Sequence, residues 1–259
     1  MQAFAGKVAL VTGGTQGMGW SVARALAAQG ASVVICGRDR DKGMQCIDAS
    51  GLGEQLRFVP CDTSVPEQVA ALMATIRTQF GRLDCAFNNA GVSVPRARMG
   101  QSSISDWQRV IDINVNGTYY CLREELALMA AGEGGAIVNN CSLAGITAIP
   151  EQAAYVASKF ALVGMTKAAA IEYARAGEGS AAVRVNAIAP GPIEGGMNSE
   201  EKLRQHPEHT RRKLAVTAMQ RFGTQQEVAD TVLWLLSGQA SYMTGAIVSL
   251  DGGASAGKF

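Results

Sequence analysis

Apolar and polar positions divide the chain into short buried runs that alternate with longer amphipathic segments. The first run, at 7–12, contains small and β-branched apolar residues, which is typical of a strand buried on both faces of a sheet. We expect further strands at 31–37, 56–60, 83–87, 136–140, 183–188 and 246–250. Apolar residues at helical spacing predict helices at about 17–29, 66–80, 102–129, 153–173 and 225–236.

The first strand leads directly into a glycine-rich turn, Gly13 to Gly19, and then into the first predicted helix. Glycines let the backbone approach a pyrophosphate, and a helix N-terminus offers free N–H groups and the positive end of a dipole. A glycine-rich turn alone is weak evidence. Between a strand and a helix, however, it predicts a dinucleotide site.

The end of the second strand lies ~20 residues past this turn, where such folds bind the adenosine ribose. NAD enzymes place a carboxylate there, but this chain has Gly37 followed by Arg38. A guanidinium binds a 2′-phosphate through two parallel hydrogen bonds. The alternative is a solvated loop arginine, whose field Asp39 and Asp41 partly offset. The pattern favours NADP(H), with NAD(H) possible.

Tyr155 and Lys159 are four residues apart, so a helix places both side chains on one face. A free tyrosine ionises only near pH ~10, and a fixed ammonium nearby favours the phenolate. Ser142 is able to donate a hydrogen bond to the same oxygen that Tyr155 protonates. The three side chains together suit acid–base chemistry on a carbonyl or an alcohol, although tyrosine and lysine also occur at this spacing by chance.

Other polar residues stand at strand ends and inside one helix. Asp62 either accepts from an adenine amino group or simply opens the next helix. Asn88 and Asn89 are able to bond backbone and a ribose, although a plain turn has the same sequence. Asn114 lies in the middle of the helix predicted at 102–129, where asparagine is unfavourable. A buried amide there indicates a local need for hydrogen bonds.

Composition narrows the function classes. A net charge of +1 gives no electrostatic case for nucleic acid or an anionic membrane, and no apolar run is long enough to span a bilayer. The six cysteines form no C-x-x-C pair, and the N-terminus lacks a signal-peptide pattern, so we expect free thiols in the cytoplasm. The only histidines, His206 and His209, are too few for a zinc site, and we expect no metal and solvent-facing imidazoles.

The chain resembles the classical short-chain dehydrogenase/reductase family. The resemblance extends from residue 7 to about 253, and its motifs occur in the family's order and spacing. They are Thr12-Gly13-x-x-x-Gly17-x-Gly19, Asn88-Asn89-Ala90-Gly91, Asn114, Ser142, Tyr155-x-x-x-Lys159 and Pro190-Gly191.

The resemblance implies one α/β domain over 1–259, a doubly wound, Rossmann-like parallel sheet of seven strands with helices on both faces. It also implies a catalytic tetrad without a metal. Tyr155 is the acid/base, Lys159 promotes its ionisation and binds the nicotinamide ribose, and Ser142 orients the substrate oxygen. Asn114 holds a water in a proton relay.

The same resemblance implies a cofactor site around the glycine turn. Gly13, Gly17 and Gly19 line the pyrophosphate, and Arg38 lies at the 2′-phosphate. Asp62 and Thr63 lie near adenine, Asn89 along the adenosine ribose, and Ile193 by the carboxamide. Further implied cofactor contacts are Thr15, Gln16, Met18, Ala90, Gly91, Tyr155, Lys159, Pro190 and Gly191.

Two positions depart from the family pattern. A threonine often follows Pro190-Gly191 and bonds the carboxamide or phosphate, but Gly195 occupies the matching position here. NADP-preferring members often also carry a basic residue before the second glycine of the turn, and this chain has Gln16 there. The case for NADP therefore depends on Arg38 almost alone.

The resemblance implies interconversion of a carbonyl and a secondary alcohol with NADPH. The alternative within the family is an NAD-dependent alcohol or diol dehydrogenase working oxidatively. A non-catalytic dinucleotide sensor is the alternative from another class, because fold alone does not fix function. A protein that only binds has no need of Asn114, Ser142, Tyr155 and Lys159 together, so their presence favours the enzyme.

The substrate is less constrained. Candidate pocket residues are the 94–99 loop and Leu143, Ala144, Ile149, Gln152, Pro192 and Met197. They indicate a largely apolar pocket, which admits keto esters, cyclic ketones, steroids, acyl thioesters and sugars. The polar segment at about 192–222 lies where the family has a variable substrate lid. The family habit also implies a homo-oligomer, a tetramer or a dimer, with the 153–173 helix at an interface.

Overall fold

The structure, a computed structural model, describes residues 2–196, 198, 200–205 and 207–257. One parallel sheet of seven strands runs through this part of the chain, in the order β3-β2-β1-β4-β5-β6-β7. The strands are β1 (Val8–Thr12), β2 (Ser32–Gly37), β3 (Leu56–Pro60), β4 (Cys85–Asn88), β5 (Gly135–Asn140), β6 (Val183–Pro190) and β7 (Ile247–Leu250).

Helices connect the strands and cover both faces of the sheet. They are α1 (Gly17–Ala28), α2 (Arg40–Ser50), α3 (Pro66–Phe80), α4 (Ile104–Val110), α5 (Gly117–Ala130), α6 (Ala153–Glu172), α7 (Glu200–Gln205), α8 (Pro207–Ala215) and α9 (Gln225–Leu236). Among the described residues, no helix has both the length and the hydropathy needed to cross a membrane.

Successive side chains of each strand point to opposite faces of the sheet, so the apolar side chains form a hydrophobic core on each face. Leu10 and Val34 pack with α3 and α5 on one face, whereas Val11 and Ile35 pack with α1 and α9 on the other. All four side chains are buried. Burial on both faces explains why the strands have continuous apolar sequences, and it confirms the predicted doubly wound fold.

The strand order reverses between β1 and β4, which are neighbours in the sheet although β2 and β3 separate them in sequence. In open parallel sheets, ligands bind beyond the carboxyl ends of the strands at such a reversal. The glycine turn follows β1 at this point, and Asn89 follows β4. The topology therefore fixes the location of the candidate site.

The two ends of the segment between β6 and α9 are hydrogen-bonded to each other. Ile193 and Gly223 form an isolated parallel bridge. Glu194 N donates to Gly223 O at 2.9 Å, and Gly223 N donates to Pro192 O at 3.0 Å. Helices α7 and α8 lie between these two contacts. The intervening chain is therefore a loop that is closed at its base.

Candidate active site

Lys159 is held in a fixed position beside Tyr155. Both residues lie in the first two turns of α6, and Lys159 is only 4% exposed. Its Nζ donates to the backbone oxygen of Asn140 at 2.8 Å and lies 5.6 Å from the centroid of the Tyr155 ring. The ammonium is therefore anchored to the end of β5 and faces the half-buried phenol.

Ser142 has a backbone conformation that only glycine adopts readily. Its φ is 91° and its ψ 154°, which costs on the order of 1–3 kcal/mol for a residue with a side chain. The Oγ atom accepts from Ala144 N at 3.2 Å. No acceptor in the described part of the chain takes its hydroxyl hydrogen, which is therefore free for a ligand oxygen. Strain of this kind is characteristic of functional sites.

Asn114 lies in a π-helical turn, Ile111–Asn116, that separates α4 from α5. The helix predicted at 102–129 is therefore present from Ile104 to Ala130, with π rather than α geometry in its middle. Asn114 is fully buried, its Oδ1 accepts from Val92 N at 2.8 Å, and its Nδ2 donates to Val92 O at 2.9 Å and Ser158 Oγ at 3.0 Å. Both amide hydrogens are thus used within the protein. The π turn, a feature frequent at functional sites, directs this amide to the Val92 backbone and to Ser158 on α6.

One cavity of about 220 Å³ collects most of these groups at the reversal point. Ser142, Tyr155 and Lys159 line it, and Asn114 lies just behind its wall. A Cβ atom on Gly91 would be 3.2 Å from Asn114 Oδ1 and 3.6 Å from Lys159 Nζ. Other predicted cofactor residues along this cavity are Gly13, Gln16, Gly17, Met18, Asn89, Ala90, Pro190, Gly191 and Ile193.

A second cavity of about 530 Å³ continues from the first past Gly13 and Gly91. Four of the predicted cofactor contacts line it, namely Arg38, Asp62, Thr63 and Thr15. Asp62 also bonds locally, since its Oδ1 accepts from Ser64 N at 3.0 Å and Ser64 Oγ at 2.7 Å. The two cavities together follow the carboxyl edge of the sheet.

The glycines of the turn have different tasks. A Cβ on Gly17 would meet nothing nearer than Gly196 Cα, 3.8 Å away, so its surroundings leave room for a ligand. A Cβ on Gly19 would lie 2.4 Å from Gly13 O, and Gly19 lines neither cavity. Gly19 therefore allows close packing of α1 on the turn, and its predicted place along the pyrophosphate stays a prediction. The open, glycine-lined path fits an extended dinucleotide.

Sequence reasoning missed Asn140, whose backbone oxygen accepts from Lys159 and whose side-chain amide donates to Asn89. Asn140 Nδ2 donates to Asn89 Oδ1 at 3.1 Å, and Asn89 Nδ2 donates to Thr12 O and Gly13 O at 3.1 and 3.2 Å. Both amide hydrogens of Asn89 therefore hold the glycine turn. The paired asparagines that end β4 and β5 were the available signal.

The other asparagine of each pair points to the opposite face of the sheet. Asn88 Nδ2 donates to Glu125 Oε2 at 2.8 Å and to Asn139 Oδ1 at 3.1 Å, and Asn139 Nδ2 donates to Thr166 Oγ1 at 2.9 Å. Asn88 Oδ1 and Glu125 Oε1 are buried without a partner among the described residues. Burial raises the pKa of Glu125 to about 7, against the lowering effect of the Asn88 hydrogen bond.

The predicted substrate residues are less well grouped. Leu143 and Ala144 are buried in a 3₁₀ turn, and Pro192 lines a different cavity. Ile149 and Gln152 are half-buried and do not line the cavity around Tyr155. Met197 and His206 lie outside the described residues, as does the side chain of His209. The cavity wall also contains Glu194 and Val92, which were not predicted.

All six cysteines are free thiols, five of them buried. Burial raises the pKa of Cys85 to about 12 and that of Cys141 to about 11, so both are neutral near neutral pH. Within the described ranges no cluster of three or more His, Cys, Asp or Glu is able to hold a metal ion.

Comparison with known proteins agrees with this geometry. The family profile described as enoyl-(acyl carrier protein) reductase matches residues 13–255. A 3beta-hydroxysteroid dehydrogenase from Mediterraneibacter gnavus is 38% identical over 98% of this chain and 96% of its own length. A cyclohexanol dehydrogenase from Acinetobacter sp. strain SE19 is 37% identical over 96% of this chain and 95% of its own.

A solved structure, ElxO with NADP bound, has a TM-score of 0.91 and is 31% identical over 97% of this chain and 99% of its own.

 The two chains therefore share one fold over nearly their whole lengths, with 31% identical residues. These likenesses confirm the resemblance that the sequence motifs indicated. The chain therefore belongs to the short-chain dehydrogenase/reductase family and is an oxidoreductase that acts on hydroxyl and carbonyl groups with a nicotinamide cofactor.

Proposed function

We propose that the protein interconverts a cyclic secondary alcohol and its ketone with NADP(H). The observation behind this proposal is the convergence of Ser142, Tyr155 and Lys159 on one cavity at the strand reversal. The 3beta-hydroxysteroid dehydrogenase and the cyclohexanol dehydrogenase, both named for alcohols on rings, support the cyclic substrate. The NADP-bound relative and Arg38 support the cofactor.

The proposed mechanism assigns one task to each side chain. The Tyr155 hydroxyl gives a proton to the carbonyl oxygen in reduction and takes it back in oxidation. The Ser142 hydroxyl hydrogen, which no described acceptor takes, donates to the same oxygen. Lys159, anchored on Asn140 O at 2.8 Å, stabilises negative charge on the phenol. When bound, the nicotinamide supplies or accepts the hydride.

Asn114 has a positioning task in this proposal. Its amide joins the Val92 backbone to Ser158 Oγ, and Ser158 Oγ donates to Tyr155 O at 2.7 Å. The turn of α6 that bears Tyr155 is thereby tied to the wall of the cleft. The proton-relay water that the family resemblance implies at Asn114 remains part of the proposal.

We further propose that the chain is one domain and that residues at about 192–222 act as its substrate lid. The bridge between Ile193 and Gly223 supports these boundaries, because the segment is closed at its base beside the cavity. Gly195 and Gly196 both have positive φ, which suits a hinge.

A homo-oligomer, a dimer or a tetramer, is the third part of the proposal. Large apolar side chains stay exposed on α5 and α6, with Tyr119 at 52%, Phe160 at 47% and Ile171 at 81%. Such exposure is typical of a covered face. Light scattering during size-exclusion chromatography measures the oligomeric state directly, and a monomer would contradict the proposed oligomer.

The compartment is a separate part of the proposal. The free thiols support a reducing compartment, the cytoplasm.

The activity test follows the absorbance of reduced nicotinamide with NADPH and NADH in parallel, over a panel of cyclic ketones, steroids and keto esters. Tyr155→Phe is the control, because it removes the proton donor and retains the ring. We expect NADPH-dependent turnover on cyclic ketones that falls by about 10²-fold or more in the variant. Wild-type turnover by Tyr155→Phe would contradict the mechanism, and turnover mainly with NADH would contradict the cofactor assignment.

A further inference from the structure

We propose that Lys42 is a second binding group for the 2′-phosphate of the cofactor and supplies from α2 the positive charge that the glycine turn lacks. This inference rests on the proposed preference for NADP(H). Gln16 stands where NADP-dependent relatives often carry a basic residue, which left Arg38 as the only cation that the sequence indicated.

Lys42 reaches the place of that missing residue from a neighbouring helix. Its Nζ donates to Gln16 Oε1 at the start of α1. Lys42 and Arg38 line the same cavity, together with Gly37 and Thr15. The two cations therefore border the end of β2, where the adenosine ribose binds in folds of this type.

Contacts of α2 hold Lys42 in this position. Cys46 Sγ donates to Thr15 O at 3.1 Å, one turn along α2 from Lys42. A Cβ on Gly43 would lie 2.4 Å from the Phe58 ring, so α2 packs directly on β3. The helix that carries Lys42 is therefore fixed to both the glycine turn and the sheet.

The carboxylates of Asp39 and Asp62 line the same cavity, but neither forms a salt bridge with these two cations. In the described ranges, no ion pair involves Arg38 or Lys42. Asp39 Oδ1 accepts from the backbone N of Lys42 at 3.0 Å, which caps α2. The only described acceptor for Lys42 Nζ is the neutral amide of Gln16, and an ammonium has three hydrogens to donate. The charge is therefore available to an anionic ligand.

The experiment measures dissociation constants of NADPH and NADH by protein fluorescence, for wild type, Lys42→Gln, Lys42→Arg and Arg38→Gln. Arg40→Gln is the matched control, because Arg40 is an exposed cation on the same helix that does not line the cavity. We expect Lys42→Gln to weaken NADPH binding about 10- to 100-fold, the effect of losing a charge-assisted hydrogen bond. NADH binding should stay constant, and Lys42→Arg should restore NADPH binding.

The dependence of cofactor affinity on salt concentration is an independent test. The ratio of NADPH affinity to NADH affinity should fall between ~50 mM and ~500 mM salt in wild type and change less in Lys42→Gln. A purely structural role for Lys42 would weaken both cofactors equally, and that result would overturn the inference. Selective loss in Arg38→Gln without loss in Lys42→Gln would also overturn it and leave the NADP(H) proposal intact. No preference for NADPH in wild type would overturn both.

Discussion

Glu125 offers a test of the polar network beneath the cleft. Its Oε2 accepts from Asn88 Nδ2 at 2.8 Å, whereas its Oε1 and Asn88 Oδ1 are both buried acceptors without a partner among the described residues. A neutral carboxylic acid has one hydrogen to donate, and Asn88 Oδ1 is an acceptor that needs one. A glutamine at 125 has the same shape and always carries such a donor. We therefore predict that Glu125→Gln preserves the fold.

The size of the effect follows from the proton balance. The pKa of Glu125 is about 7 in the folded protein because burial disfavours the carboxylate, against a reference value of 4.5. Between these values the native state binds more protons than the unfolded state, so stability falls as pH rises. At ~1.4 kcal/mol per pH unit, the loss reaches on the order of 3 kcal/mol above neutral pH. Glutamine has no proton to lose.

Cys121, a titratable group that interacts with Glu125, does not titrate in the same pH range. Cys121 lies one turn before Glu125 on α5, and burial, with the Glu125 charge as a second cause, raises the pKa of its thiol well above the usual value. That thiol stays neutral over the range in which Glu125 titrates. The charged groups of the surface act on wild type and variant alike, so they cancel in the comparison.

The assay is urea unfolding of wild type and Glu125→Gln at one protein concentration, at about pH 5 and about pH 8. We expect the variant to gain on the order of 3 kcal/mol relative to wild type between the two pH values. Glu54→Gln, at an exposed loop position, is the control and should show no such gain. A difference between Glu125→Gln and wild type that does not change with pH would refute the reasoning.

Three further predictions concern strain, buried amides and a charged cluster. Ser142→Gly should have a free energy of unfolding in urea about 1–2 kcal/mol higher than that of Ser142→Ala, because glycine relieves the φ of 91°. Both variants should lose activity. Equal stabilities would show that the backbone is unstrained. Asn114→Ala should lose about 2–4 kcal/mol in the same assay, since buried partners including Ser158 are left unpaired, and a loss near zero would contradict the network. Burial would raise the pKa of Asp84, but donors led by Arg82 hold it below its usual 3.8. The carboxylate therefore stabilises the fold above about pH 4, and this stabilisation is lost in acid. Asp84→Asn should reduce the fall of the melting temperature with decreasing pH, and an unchanged fall would contradict this pH dependence.

Local signals explain the elements that the sequence predicted well. The bounds of α3 and α9 agree with the prediction because Pro66 begins α3, and Thr224 and Glu227 form a capping box at the start of α9. Strand β3 also matches to the residue. These starts and stops are specified by neighbouring residues, so a single sequence contains them.

Tertiary contacts explain what the sequence did not predict. Helix α2 is polar and has only one buried residue, Gly43, so its sequence shows no apolar stripe, and its place depends on the Phe58 ring. The π turn around Asn114 depends on Val92, a partner 22 residues away. Asn114 in the predicted helix indicated a local need for hydrogen bonds, but it did not reveal the π turn. The positions of Lys42 and Asn140 likewise follow from the assembled sheet.

The bridge between Ile193 and Gly223 has a consequence for protein engineering. Because the chain leaves and returns at one pair of residues, the length of the intervening segment is not set by the sheet. Loop closure costs only about 0.6 kcal/mol for each doubling of length. The segment is therefore an exchangeable cassette, and a segment transplanted from a relative between these two residues can bring its own selectivity while the scaffold beneath it keeps its register.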